Sequence, residues 1–344
     1  MELSGYRAEW CRYRLDFTFE ARTSRGSMLH KDTYFIRITA SDGRSGIGEV
    51  PLFRGLSQED TPEFESLLAS KCRNVAEAML NPGASSIAFG VAGAFAAFSH
   101  RTPTPWQSGH RGIPLNGLVW MGDKHLMKHR IAEKLDQGFK VIKIKIGGIG
   151  FEDELDLIAD IRQHFSPRDI EIRVDANGAF TPDNAMTYLD RLAPYELHSI
   201  EQPIRAGQHE AMAALCRQSP IPVALDEELI GIKPYEEKVR IVDYIRPAYL
   251  VLKPSLCGGF ADCEQYMHLI GDGRWWVTSA LESNVGLHAI ASWLSRFDLD
   301  MVQGLGTGQI YSNNIISPLV MHDAALWCEP KIKWQDLNNL PWHQ

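Results

Sequence analysis

The stretch 141-VIKIKIGGIG-150 reads as a β-strand with two unlike faces. Side chains alternate along a strand, so Lys143 and Lys145 share one face while isoleucines fill the other. Taken alone, this is a half-exposed strand with a solvated lysine face, because lysine is rarely buried unless paired. Its neighbours change that reading. Similar short apolar runs recur at 115-LNGLVW-120, 170-IEIRVDANG-178, 197-LHSIEQP-203, 222-PVALDEE-228, 249-YLVLKPS-255, 275-WWVTSALES-283 and 300-DMVQGLGT-307, about 24 to 29 residues apart. That interval accommodates one strand, one helix and two short loops. In 151-FEDELDLIADIRQHF-165, Leu155, Ile158, Ile161 and Phe165 recur at helical spacing. Eight strands alternating with helices predict an α/β fold with a parallel sheet closed as a (β/α)8-type barrel; an open doubly wound sheet is the alternative.

The first 110 residues follow another pattern. The segments 6-YRAEWCRYRLDFTFEA-21 and 30-HKDTYFIRITASDG-43 alternate as antiparallel strands, the second ending in a DG turn. Residues 61–81 and 84–99 read as two helices rich in Ala, Leu and Phe. The division expected is an α+β domain over 1–110, a barrel over 111–317, and a tail over 318–344 that packs back on the first domain. The tail carries Trp327, Trp334 and Trp342 and fits no ninth unit.

Composition narrows the function classes. With 344 residues, a net charge of -8 and no concentrated basic stretch, nucleic acid is not the expected partner. Apolar runs such as 87-IAFGVAGAFAAF-98 are too short for a membrane span, and the first residues have no apolar signal core. The cysteines, Cys11, Cys72, Cys216, Cys257, Cys263 and Cys328, form no CxxC pair. A reduced, cytoplasmic protein acting on a small molecule is the expectation.

The ends of the barrel strands carry the chemistry. Strand two ends in Lys145 after Lys143, strand three in Asp175, strand four in Glu201, strand five in Asp226 and strand six in Lys253. Neighbouring parallel strands lie about 4.8 Å apart, so three carboxylates on adjacent strand ends can converge on one point. Such anions repel unless a cation lies between them. All-oxygen ligation favours a hard divalent ion, Mg²⁺ first and Mn²⁺ as its substitute. The lysines flank this triad on strands that face each other across the barrel mouth. Lys145 must be neutral to act as a base, and Lys143 together with a metal is expected to favour that form. Each residue also has a plainer reading. Asp175 in DANG could seed an Asx turn, Asp226 could belong to a solvated loop end with Glu227 and Glu228, and Lys253 could be exposed. Arg173, on the same face as Asp175, reads as an ion-pair partner inside the barrel. Singly these signals are weak, but five in order at successive strand ends place an active site there.

At this point the sequence resembles the muconate-lactonizing subgroup of the enolase superfamily, through KxK at 143–145, VDANGAF, SIEQP, ALDEE and LKPS. A Lys or His base with Mg²⁺ stabilising an ene-diolate is a general description of enolase-superfamily sites. The resemblance covers nearly the whole chain. It implies a (β/α)7β barrel under an N-terminal α+β capping domain, Asp175, Glu201 and Asp226 as metal ligands, and Lys145 and Lys253 as active-site lysines. Within the subgroup, 279-SALESNVGLHAIASW-293, 48-GEVPLFRGLSQED-60, KPSLCGG and GLGTGQIY are similar to the o-succinylbenzoate synthases. Those enzymes dehydrate 2-succinyl-6-hydroxy-2,4-cyclohexadiene-1-carboxylate in menaquinone biosynthesis. The competing activity of the subgroup is racemisation or epimerisation of N-acylamino acids or dipeptides. Dipeptide epimerases usually carry DxD near the last strand, where this chain has QGLGTGQ. Gln202 stands where many relatives have a second Glu.

The resemblance implies proton removal by Lys145, an ene-diolate, and loss of the ring hydroxyl with the same lysine as acid, while Lys253 steadies the anion. The loops 21-ARTSRGSMLHK-31 and 52-LFRGLS-57 are candidate specificity elements. Ser279 and Ser283 are candidates for contacting a succinyl arm, and Asn177 for a place behind the metal ligands. Gly258 and Gly259 either let the backbone approach a ligand or make a turn.

Overall fold

The structure is a computed structural model that describes residues 5–23, 26–99 and 102–344. Its first unit is an antiparallel sheet. Strand β1 (Tyr6–Thr23) pairs with β2 (Gly26–Ala40) from Tyr6↔Ala40 to Thr23↔Gly26, with an irregularity between Asp16 and Ala21. Strand β3 (Ser45–Val50) joins the other edge of β2. The segment 21–31, read as a loop, is therefore mostly paired strand, and its Ser24 and Arg25 lie outside the described residues. Helix α1 (Phe64–Arg73) and helix α2 (Val75–Leu80) replace the single helix expected over 61–81. The break falls at Asn74, whose side chain accepts from Glu77 N at 3.1 Å and so starts a new helix.

Helix α3 (Ser85–Phe98) lies directly on β3. A Cβ on Gly48 would stand 2.0 Å from Gly90 O, and one on Gly46 2.2 Å from Ala94 O. The GxG spacing of β3 thus clears one strand face for a helix backbone, and any side chain there would push the helix off.

Strand β4 (Ile113–Pro114) stands outside the barrel. Then β5 (Gly117–Val119), α4 (Lys124–Asp136), β6 (Val141–Lys145), α5 (Phe151–His164), β7 (Glu171–Asp175), α6 (Pro182–Leu192), β8 (Ser199–Glu201) and α7 (His209–Gln218) alternate. They continue as β9 (Val223–Leu225), α8 (Tyr235–Ile245), β10 (Tyr249–Leu252), α9 (Phe260–Ile270), β11 (Trp275–Val277) and α10 (Asn284–Leu294). Strands β5 to β11 form one parallel sheet in chain order, which excludes the doubly wound alternative with its reversal of order. The eighth strand, expected near residue 302, is reduced to two bridges, Leu115↔Gln303 and Thr278↔Gly304. They join the two edges of the curled sheet, with a helix between successive strands and none after the last. Ile142, Ile144, Ile172, Val174, Ile200 and Leu225 belong to the main core, while the alternate residues form the barrel interior. Its floor is Arg173, buried against the Trp276 ring at 4.5 Å and bonded to Glu171 at 2.7 Å, as the sequence suggested.

The tail divides its contacts. Strands β12 (Leu319–His322) and β13 (Ala325–Cys328) form a hairpin that pairs with β4 beside the barrel. Further on, His343 bridges Trp10 of β1 and the Arg37 guanidinium of β2 lies 4.4 Å from the Trp342 ring.

His288 on α10 sits between the rings of Trp106 and Trp334, at 5.4 and 5.0 Å. Burial pushes its pKa down from 6.5 to about 4, favouring the neutral ring in the folded protein. The unfolded chain then binds the extra proton first, so this stabilisation is complete above pH 6.5 and is lost as pH falls toward 4. The loss is expected to reach about 3 kcal/mol at most. Urea titrations of wild type and His288→Gln at pH 7.5, 5.5 and 4 check this, since the variant should lose less stability over the same interval.

Candidate active site

Strand register builds the site. The ladder pairs Lys145 with Asp175, Asp175 with Glu201, and Glu201 with Ala224, so one lysine and two carboxylates stand at one level. Asp226 follows two residues beyond Ala224, and Lys253 follows β10 on the opposite side of the mouth. Lys143, Lys145, Asp175, Asn177, Glu227 and Lys253 line one cavity, which encloses about 810 Å³ including the part open to solvent. Phe53 and Leu56 line it from the capping domain, so the 52–57 loop reaches the site as expected. No described residue of 21–31 lines it.

The lysines divide the carboxylates among themselves. Lys143 Nζ donates to Glu201 Oε2 at 2.6 Å and lies 3.0 Å from Asp175 Oδ2. Lys145 Nζ donates to Asp175 Oδ2 at 3.1 Å and to Asn177 Oδ1 at 2.6 Å. Lys253 is paired with Asp226. Burial alone would raise the Asp175 carboxyl, but Lys143, Lys145 and Lys253 overcome it and hold the group well below the usual carboxylate range. Burial likewise opposes the charge on Lys143, yet Asp175 and Glu201 reverse that and keep its pKa above the ordinary lysine value. Lys253 is raised in the same way by Asp226 and Glu227. Glu201 is pushed well up, by burial and then by Asp175 and Asp226.

Among the described residues, no three acidic, His or Cys side chains form a ready metal cluster. The physical reason is the intervening ammonium groups. Asp175, Glu201 and Asp226 were expected to face one another across a cation, but Lys143 and Lys253 occupy their oxygens. Two observations fit a cation to these residues. Glu201 Oε1 and Asp226 Oδ1 are buried without a hydrogen-bond partner, a costly state for carboxylate oxygens. The donors are all hard oxygens, suited to a small divalent ion.

Residues 126–295 match the family model of enolase C-terminal domain-like proteins. The o-succinylbenzoate synthase of Desulfotalea psychrophila LSv54 is 40% identical, over 94% of this chain and 99% of that one. The chain belongs to the enolase superfamily, in its muconate-lactonizing subgroup. The crystal structure of MenC from Desulfotalea psychrophila LSv54 superposes on this superfamily member with a TM-score of 0.81 at 38% identity, covering 94% of this chain and all of that one. The dipeptide epimerase of Cytophaga hutchinsonii, solved with Mg and D-Ala-L-Val, gives 0.80 at 19% identity over 98% and 97%, so it shares the fold. The reaction type is that of the subgroup: a lysine base abstracts a proton, leading to elimination or isomerisation.

Other residues of this superfamily member take places the sequence left open. Asn177 Oδ1 accepts from Lys145 Nζ, and its Nδ2 donates to Glu227 Oε1 at 3.1 Å. Gln202 Oε1 accepts from Asp226 N and Glu228 N, while its Nε2 donates to Glu228 Oε2 at 3.1 Å. A carboxylate could not make that donation, so the neutral amide ties β8 to the end of β9. Gly258 and Gly259, at φ of +93° and +97°, form the turn into α9 and do not line the cavity.

The two serines separate. Ser279 lines the cavity, but its hydroxyl donates to Glu282 Oε2 at 2.6 Å. Ser283 does not line it. Its hydroxyl and N–H both donate to Glu49, as does Gly286 N at 2.9 Å. Glu49, from β3 of the capping domain, thus caps the first turn of α10 and also accepts from Thr33 at 2.7 Å. No short-range sequence signal points to a contact between residues 234 apart.

Proposed function

We propose that this chain is an o-succinylbenzoate synthase, which dehydrates 2-succinyl-6-hydroxy-2,4-cyclohexadiene-1-carboxylate to 2-succinylbenzoate in menaquinone biosynthesis. The observation that carries the reading is the placement of Lys145 and Lys253 on opposite sides of one cavity, with the carboxylates of β7 to β9 between them. The 40% identity over 94% of the chain to a synthase supports the choice of reaction. So does the last strand, which offers Gly304, Gly306 and Thr307 to the cavity and no carboxylate to pair with the ammonium of a dipeptide.

In this reading Asp175, Glu201 and Asp226 hold Mg²⁺. The ion, when bound, supplies positive charge for a substrate carboxylate and favours a neutral Lys145. Lys145 takes the proton next to that carboxylate, leaving an ene-diolate. Asn177 Oδ1, 2.6 Å from Lys145 Nζ, orients the amine. Lys253, held as a cation by Asp226, faces the developing anion and counters its charge. The protonated Lys145 then returns its proton to the departing ring hydroxyl on the same face, a syn elimination. Phe53, Leu56, Leu118 and Trp120 line the same cavity and limit water there. The same reading takes residues 1–110 with 318–344 as the capping unit and 111–317 as the catalytic barrel.

The test is turnover of the cyclohexadiene carboxylate, followed in the ultraviolet with Mg²⁺ and with EDTA. Metal-dependent loss of the diene absorbance is the expected result. No loss above the spontaneous rate, by folded protein with metal bound, would overturn the assignment in favour of N-acylamino acid racemisation on the same site.

A further inference from the structure

Between β11 and α10 the chain turns through Leu281 at φ +63°, a left-handed backbone that suits glycine and strains a leucine. Ser279, Ala280 and Leu281 all line the cavity. Among the described residues, the other non-glycine member of the cavity wall with such a backbone is Asn177, whose short polar side chain tolerates it. A strained residue persists only where its surroundings over-determine it, and such residues gather at functional sites.

Two buried side chains behind the wall clamp this one. Glu282 and Tyr311 are 0% and 5% exposed, and neither lines the cavity. Glu282 Oε2 accepts from Ala280 N at 2.8 Å and from Ser279 Oγ at 2.6 Å, and that hydroxyl accepts in turn from Leu281 N at 2.9 Å. Tyr311 Oη donates to Leu281 O at 2.8 Å, so both the N–H and the carbonyl of Leu281 are held. Glu282 Oε1 also accepts from Ser255 Oγ at 2.5 Å, two residues after Lys253. In this backbone the Leu281 side chain packs in an apolar cluster with Leu15, Trp120, Ile310 and Tyr311, and Tyr311 itself bridges Phe17 of β1, with the two rings 4.7 Å apart. We propose that Glu282 and Tyr311 are positioning residues that hold Leu281 left-handed and thereby fix the cavity wall formed by Ser279, Ala280 and Leu281. The inference rests on the synthase reading only for the compound used to follow turnover.

Amide hydrogen exchange on the Mg²⁺-loaded protein tests it without any substrate. The strain of a left-handed leucine is worth about 5- to 30-fold in a conformational equilibrium. Tyr311→Phe and Glu282→Ala should therefore speed exchange of the segment 279–283 by about that factor while the barrel strands exchange as before. Placed on Leu281→Gly, where the left-handed backbone carries no strain, Tyr311→Phe should change that exchange by less than about twofold, as a double-mutant cycle demands of residues acting through one another. A merely structural role would instead speed exchange throughout the molecule and add equally on both backgrounds. The same cycle in KM for the diene should show KM rising more than kcat falls on the leucine background alone. Should Glu282→Ala fail to fold, Tyr311→Phe decides, because it keeps the ring against Phe17. Unchanged exchange of 279–283 in Tyr311→Phe, or equal acceleration on both backgrounds, would overturn the assignment. If wild type does not turn over the diene yet the exchange cycle shows the coupling, the synthase reading fails and the clamp on Leu281 stands.

Discussion

Lys145→Ala is expected to lose about 10⁴-fold in kcat, the upper range for removal of a general base. Its unfolding midpoint in urea should move little. Lys143 Nζ remains 3.0 Å from Asp175 Oδ2, so the carboxylate that Lys145 abandons keeps a buried cation beside it. The variant should also stop exchanging the substrate proton with D₂O, because the step removed is the abstraction itself. Activity within tenfold of wild type would sink the assignment of Lys145 as the base.

Glu49→Ala is expected to act on stability. The substitution strips the acceptor from Thr33, Ser283 N, Ser283 Oγ and Gly286 N, all buried between the two domains. It also removes a counter-charge from Lys31, a buried lysine whose pKa burial pulls down and Glu49 and Glu282 push back up. Removing one partner from a buried charged cluster costs about 3–5 kcal/mol. Equilibrium unfolding in urea would measure this directly, with Glu49→Gln expected to recover part of the loss because the amide keeps one acceptor oxygen. A loss below about 1 kcal/mol would mean that the capping sheet and α10 are docked by apolar contact alone.

The barrel and the lysines and carboxylates at its strand ends were legible in the sequence because both follow from periodicity. Lys143 and Lys145 two apart, then Asp175, Glu201 and Asp226 at successive strand ends, are placed by alternation and unit length before any coordinate is known. Features set by distant contacts were not legible. Ser283 looked like a substrate contact because it follows the seventh strand; its partner is Glu49, on another domain. The lone-pair economy of the carboxylates was also hidden, since spacing shows which residues meet but not that Lys143 spans two of them. The helix break at Asn74 turned on one side-chain bond to Glu77 N. The role of Gly46 and Gly48 needed the position of α3.

The backbone bridge between Trp10 and His343 has a consequence for synthesis of the chain. At about 5–20 residues per second, these two residues leave the ribosome roughly 17–70 s apart. During that interval β1 has β2 on one edge and nothing from the tail on the other. An open strand edge is a template for pairing with another chain. Arg7, Arg12 and Arg14 are exposed along β1, Arg12 and Arg14 beside Asp32 and Asp16, and such a charged, polar edge is a poor partner for a second nascent copy while the C-terminal residues are still to come.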